Sequence, residues 1–482
     1  LDVLRGVAIV TMVLSGTVPW KGLPAWMYHA QIPPPNRVFD PSVPGLTWVD
    51  LVFPFFLFSL GAALPLALQK KLQMPHGVKT AVTDGFRRFG LLVYFALMVQ
   101  NLNPIRLQGW KPDMATWAYA SGPLTMLACT FVLMRLPHSL KPTIVLTVRA
   151  LGAALSIALL AFVPSAFGHP FTWRRTDIIL IVLSNVALFG TLTMVAFQKA
   201  PNWKYSLLLL GLFIHGCRNL WPDNPVRWVT DLGPIQALFG SAVVDSITWA
   251  FHPRYLKYLF IVLPGVAAGE ILVRYLSHAT HQQPAQPASP KARWAAFALM
   301  TLVLLGTGAF LGFHLGRQII LAFVATVATL GLAWLALGAF IEQPAAQTAI
   351  RNLLFLTIIC LLWGFVFEGY QGGAKKDHAT LSYYGYGAGF AALFLAAFLA
   401  LEAFCKLGPG LRLMAANGQN PMVAYVASAF FVQPLLHLTG LWSILTKWTQ
   451  GAWPGTGRAV FITLLSALLT AFLGRCRVTW RS

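Results

Sequence analysis

Charge is what this sequence has least of. Only 10% of its 482 residues are Asp, Glu, Lys or Arg, against roughly 25% in an ordinary soluble domain. A soluble chain of this length would bury a large core but would still need a charged skin. Fourteen acids and thirty-five bases cannot supply one. Acids are the scarcer kind, and the net charge is +21. Such an excess often signals nucleic acid, yet the bases are spread singly along short loops between apolar runs and form no contiguous patch. Anionic lipid and membrane topology account for them, so membrane lipid is expected as a partner and nucleic acid is not. Cysteine is also sparse. Cys129, Cys217, Cys360, Cys405 and Cys476 form no CxxC and no metal-ligand spacing, so no metal site is expected. Most sit in apolar runs, as small buried hydrophobes do. The chain opens at Leu1 without a Met, which points to residues upstream.

What is abundant is apolar: 57% hydrophobic residues, with Gly 40, Trp 17 and Phe 34. Small residues let helices touch within lipid, and aromatics favour its interface. The fold class implied is an all-α, polytopic transmembrane bundle with no large soluble domain. A membrane helix needs roughly 20 mostly apolar residues. Such runs lie near 3–20, 48–68, 88–104, 119–136, 147–166, 177–198, 204–218, 255–275, 294–313, 318–341, 351–369, 383–404, 419–440 and 459–475. The seventh is short, so about 12–14 spans are expected. A Pro-, Gln- and Ala-rich stretch at 277–293 divides the chain into an N-terminal bundle, 1–276, and a C-terminal bundle, 294–482.

Bases in short loops set orientation. The loop after the second run carries Lys70, Lys71, Lys79, Arg87 and Arg88, whereas the longer one before it carries only Lys21 and Arg37. The basic loop is therefore expected in the cytoplasm, with the N-terminus inside and the 21–47 loop outside.

The hairpin 1–68 holds the most unusual chemistry. Asp2 and Arg5 share a face at the start of the first helix, as an ion pair or helix cap would. Asp50 lies at the mouth of an apolar helix. A carboxylate at that depth is costly unless it caps the helix or serves a site. His29 lies in the outer loop beside Trp26 and Tyr28, and histidine is the residue type whose unperturbed side chain titrates near neutrality, as a general base should. Taken alone, a loop histidine among aromatics is more often an interfacial residue than a catalyst.

Three segments of this hairpin carry a resemblance: Leu1-Asp2-Val3-Leu4-Arg5-Gly6, Tyr28-His29-Ala30, and Leu46-Thr47-Trp48-Val49-Asp50-Leu51-Val52-Phe53-Pro54-Phe55-Phe56. Together they resemble the opening of the heparan-α-glucosaminide N-acetyltransferase family. Weaker likenesses follow in the same order at Phe251-His252-Pro253-Arg254, Lys376-Asp377-His378-Ala379-Thr380-Leu381-Ser382-Tyr383 and Asn417-Gly418-Gln419-Asn420-Pro421. Segments near 147–198 and 294–341 look like extra helix pairs.

The resemblance implies a transmembrane N- or O-acetyltransferase in a bacterial cytoplasmic (inner) membrane. It would move acetyl from cytoplasmic acetyl-CoA to an amino sugar or glycan on the outer side. It places the catalytic histidine at His29, and Asp50 is a further catalytic candidate. Ser15 stands where the lysosomal enzyme has an assisting asparagine, and His252 replaces an acidic residue. Arg5, Lys70, Lys71, Arg87 and Arg88 are candidates for the CoA phosphates, although the last four also fit an ordinary positive-inside signal. Lys376, His378, Asn417 and Asn420 are candidates for the acceptor, although the asparagines also fit helix caps. Two alternatives fit the same composition. One is a non-catalytic subunit of a larger membrane complex that retains the fold, and a homo-oligomer is also compatible. The other is a small-molecule transporter using Asp50, Glu270 and helices broken at Pro54 and Pro264, although no internal repeat supports it.

Overall fold

The computed structural model describes residues 1–137, 139–200, 202–220, 225–279 and 288–480. Among them there is no strand, only an isolated bridge between Met134 and Trp480. The helices follow the apolar runs in order. The first five helices of eleven residues or more are α1 (Asp2–Thr17), α2 (Trp48–Leu72), α3 (Gly77–Asn101), α4 (Ala115–Leu133) and α5 (Pro142–Ala166). Then come α6 (Ile178–Ala196), α7 (Trp203–Leu220), α8 (Leu259–Ala279), α9 (Pro290–Leu315) and α10 (Ile319–Ala336). The last are α11 (Pro344–Val366), α12 (Leu381–Phe404), α13 (Pro409–Gln419), α14 (Pro421–Leu438) and α15 (Ala452–Arg475).

Ten helices among the described residues are long and apolar enough to cross a membrane. This is an integral membrane protein. The expected segment at 3–20 is also helical, but α1 has only 16 residues. The expected segment at 88–104 starts eleven residues earlier than its apolar run, as α3. This corrects the reading of Lys70, Lys71, Lys79, Arg87 and Arg88 as loop residues. All five lie on helices, because Lys and Arg are good helix formers and the backbone continues past the apolar stretch. Lys70 and Lys71 fall in the last turn of α2, where the helix dipole favours cations.

The chain forms two compact units. The first joins Leu1–Gln73 to Phe260–Gly418; the second joins Met74–Leu259 to Gln419–Ser482. Their boundaries lie at 73/74, 259/260 and 418/419. Of the stretch 277–293, 277–279 belong to α8 and 290–293 to α9, while 280–287 lie outside the described residues.

In the first unit, α12 is the central element. All but Glu402 and Ala403 of its 24 residues are buried, as expected of a helix apolar on every side. Close helix approach depends on small residues. A Cβ on Gly61 of α2 would lie 2.1 Å from the Val262 carbonyl oxygen of α8. At the other end of α2's partner α1, a Cβ on Gly6 would lie 1.8 Å from the Met414 carbonyl oxygen of α13. Arg5 completes that junction by donating from Nη1 to the Gly418 carbonyl oxygen at 3.0 Å.

In the second unit, α3 packs on α6 and α4 on α5. Asp177 caps α6 by accepting the Leu180 amide at 3.0 Å, and its other oxygen accepts from Tyr425 Oη at 2.9 Å. Asn420 precedes α14 and accepts the Trp480 amide at 3.1 Å while donating to the Val478 carbonyl at 2.8 Å.

Candidate active site

The start of α2 organises the site. Thr47 and Asp50 form a capping box, in which a side chain three residues into the helix reaches back to the amide at its start. Asp50 Oδ2 accepts the Thr47 amide at 3.0 Å and the Ala30 amide at 3.1 Å. Thr47 Oγ1 donates to the Tyr28 carbonyl at 2.7 Å. The loop segment 28–30 is thereby tied to the helix end, and His29 is carried on it.

The second carboxylate oxygen faces that histidine. His29 Nδ1 lies 2.8 Å from Asp50 Oδ1. The Asp50 side chain is 1% exposed and that of His29 is 32% exposed. A buried carboxylate beside Nδ1 selects the tautomer with its proton there and leaves the lone pair on Nε2. Asp50 therefore does both things the sequence allowed: it caps the helix with one oxygen and orients the imidazole with the other.

Lys376 arrives from the segment between α11 and α12. Its Nζ is 3.3 Å from His29 Nδ1 and 3.2 Å from Nε2. Near-equal distances to both nitrogens mean that the amine lies in line with neither lone pair. Burial pushes the Lys376 ammonium below lysine's usual range, while the charges of Asp50 and Asp377 pull it back up. Tyr383 of α12 donates from Oη to the Asp50 carbonyl oxygen at 3.2 Å, which ties a third element to the site. A carboxylate, an imidazole and an ammonium thus meet at one end of the first unit. The arrangement can take a proton at the imidazole and hold a developing negative charge near the ammonium.

The family model for the Domain of unknown function (DUF5009) matches residues 1–272, more than half of the chain. The chain belongs to this family. No curated protein matches it. The DUF5009 span contains His29, Asp50 and the Thr47 cap, whereas Lys376 lies beyond it.

The other sequence-derived candidates are distributed more widely. Ser15, within the DUF5009 span, donates from Oγ to the Met12 carbonyl of its own helix at 2.8 Å. Arg5 is engaged by Gly418 and by Asp2 Oδ1, the latter at 3.3 Å. Lys70 and Arg87 are exposed, and Lys71 and Arg88 are partly so. His378 is exposed, two residues from Lys376. Asn417, at the end of α13, donates to the Leu413 carbonyl at 2.9 Å. Both ends of the Asn420 amide are taken by the 478–480 segment. His252 accepts the Arg254 amide at Nδ1, 3.1 Å away, and so caps the turn that follows it. Among the described residues, no group of three or more His, Cys, Asp or Glu side chains is placed to hold a metal ion.

Several residues of the site carried little signal in the sequence. Gln31 donates from Nε2 to the Asp377 carbonyl and accepts the Asp377 amide at 3.0 Å. Arg317 Nη1 lies 2.8 Å from Glu368 Oε1, and His314 Nε2 lies 3.2 Å from the same oxygen. Only Thr47 was legible, through the Thr-x-x-Asp spacing of a capping box.

Proposed function

We propose that this protein is a membrane-bound acyltransferase. It would move an acetyl group from acetyl-CoA to an amine or hydroxyl of an amino sugar or glycan, with His29 as general base. The observation that carries this reading is the His29–Asp50 contact of 2.8 Å, made by a buried carboxylate to a half-buried imidazole. The resemblance of the first hairpin to the heparan-α-glucosaminide N-acetyltransferase family supports it independently. On this reading the His29 end faces outward, and the α1 start with the basic ends of α2 and α3 faces the cytoplasm of a bacterial inner membrane.

The chemistry asked of these residues is modest. A thioester is already activated, so the enzyme must deprotonate the nucleophile and hold it against the carbonyl. His29 Nε2 takes a proton from the acceptor as its nitrogen or oxygen attacks the carbonyl carbon. The Asp50 carboxylate stabilises the imidazolium formed. The Lys376 ammonium stands near enough to offset charge developing on the carbonyl oxygen. The carbon–sulfur bond then breaks, the thiolate takes the proton back from His29, and the products are the acetylated acceptor and CoA. The acyl donor's phosphates would need cations, and Lys70, exposed in the last turn of α2, is a candidate.

The test is transfer itself. Purified protein in vesicles receives isotope-labelled acetyl-CoA on one side and glucosamine or a short glycan on the other, with products read by mass spectrometry. Protein-dependent acetylated sugar is expected. A folded preparation that yields none with any amino- or hydroxyl-bearing sugar would contradict the reading.

A further inference from the structure

Lysine has a long, flexible side chain whose ordering costs up to about 2 kcal/mol, so its amine stays against His29 only if its backbone is fixed. The segment 367–380 that carries it contains no regular helix beyond turns. It is nevertheless tied along its length. At its start, Glu368 is buried against Arg317 and His314. In the middle, the Gly45 amide donates to the Ala374 carbonyl at 2.9 Å. At the end, the Lys375 amide donates to Thr380 Oγ1 at 3.0 Å, and the Leu381 amide to Gln371 Oε1 at 2.8 Å.

Arg317 enters this arrangement twice. Besides its bond to Glu368, its guanidinium lies directly beneath Gly373. A Cβ at Gly373, where φ is +99°, would sit 2.9 Å from both Nη atoms and 2.7 Å from Pro44 Cβ. Arg317 is also in an unexpected backbone position. It follows α9 with φ +58°, and the bonds Gln318 N to Phe313 O (2.8 Å) and Arg317 N to His314 O (3.1 Å) close a Schellman turn. Glycine is the favoured residue there, and any other costs about 1 kcal/mol. An arginine at that position is explained by what its side chain does, not by the turn.

We infer that Arg317 and Gln31 are positioning residues that set the Lys376 amine against His29 by gripping the 367–380 segment at separate points. Gln31 lies two positions after His29 and bonds both backbone groups of Asp377, one position after Lys376. It therefore couples the segments that carry His29 and Lys376 directly. Arg317 holds the earlier part of the segment, through Glu368 and against Gly373. The α9–α10 helix pair, which the sequence marks as an addition, thus supplies part of the support for the site.

The inference of a catalytic consequence rests on the acyltransferase reading; the geometry does not, and the experiment separates the two. Lys376 is modified with a water-soluble amine-acylating reagent and His29 with diethylpyrocarbonate, and rates are read by peptide mass spectrometry. Arg317→Gly relieves the strained turn while removing the grip, and Gln31→Leu releases the other side. Both variants should label Lys376 several-fold faster than the parent, with Arg317→Lys restoring part of the protection. Where acetyl transfer is measurable, kcat should fall by up to about 10²-fold with KM for acetyl-CoA unchanged, as for a misplaced catalytic group. Parental labelling rates at Lys376 in whichever of these variants keeps the parental unfolding midpoint would overturn the inference. Absence of acetyl transfer by the parent would sink the enzymatic reading and leave the labelling result standing.

Discussion

Asp50 holds the ring of His29 at 2.8 Å with one carboxylate oxygen while its other oxygen closes the start of its own helix. A cap and a catalytic orienter are usually separate residues. Here one buried side chain fixes both the loop and the tautomer, so the geometry of the imidazole is as rigid as the helix end.

Asp50→Asn tests that double role. The amide oxygen can still accept the Thr47 and Ala30 amides, so the cap should largely survive. The amide nitrogen, however, would donate to Nδ1 and move the ring proton to Nε2, where the base is needed. Transfer activity should fall by about 10²–10⁴-fold, with an unfolding midpoint close to the parent's. A variant that is destabilised but retains its specific activity would assign Asp50 to the cap alone.

Glu368 gives a pH signature. Burial pushes its carboxyl up, but the hydrogen bonds and charges of His314 and Arg317 outweigh this and hold it below the usual glutamate range. A depressed carboxylate stabilises the fold fully above the unfolded-state value, about 4.3, and loses that contribution as pH falls through the folded value. At neutral pH, Glu368→Gln should lower stability in detergent by about 1.5–3 kcal/mol, the range for a hydrogen bond to a charged group. The gap between parent and variant should narrow as pH falls below 4.3. Thermal unfolding across that window reads it, and a gap that stays constant would show that the pair contributes nothing electrostatic.

Arg5 is expected to behave as a structural residue. Its guanidinium joins the start of α1 to the Gly418 carbonyl at 3.0 Å, at a junction where two glycines bring backbones into contact. Arg5→Met should cost about 1.5–3 kcal/mol of stability while leaving KM for acetyl-CoA near the parental value. A raised KM in a protein of parental stability would instead place Arg5 at the acyl donor.

The helical bundle was legible because apolar runs of membrane length dominate the composition, and helices formed at those runs. Helix ends were less so. Arg87 and Arg88 read as loop because the apolar pattern stops there, whereas the backbone of α3 continues to Gly77. At the site, His29 and Asp50 each stood out in the hairpin, but their contact of 2.8 Å did not. Lys376 lies 347 positions from His29 and was offered only as an acceptor candidate within the weaker likeness at 376–383. Glu368 carried a signal as an acid at the end of an apolar run, but its Arg317 partner and the grip of Gln31 on Asp377 had no local signature. Each is a contact between distant segments made by residues of ordinary type. Asn420 bonds the 478–480 backbone, a partner that only folding brings into reach.

The most direct measurement compares acetyl transfer by the parent and by His29→Gln, each reconstituted in vesicles and matched for folded protein. Glutamine keeps a polar side chain of similar reach but has no basic nitrogen. A loss of about 10²–10⁴-fold in rate is expected, with acetyl-CoA binding retained. A glutamine variant that transfers acetyl at the parental rate would contradict it.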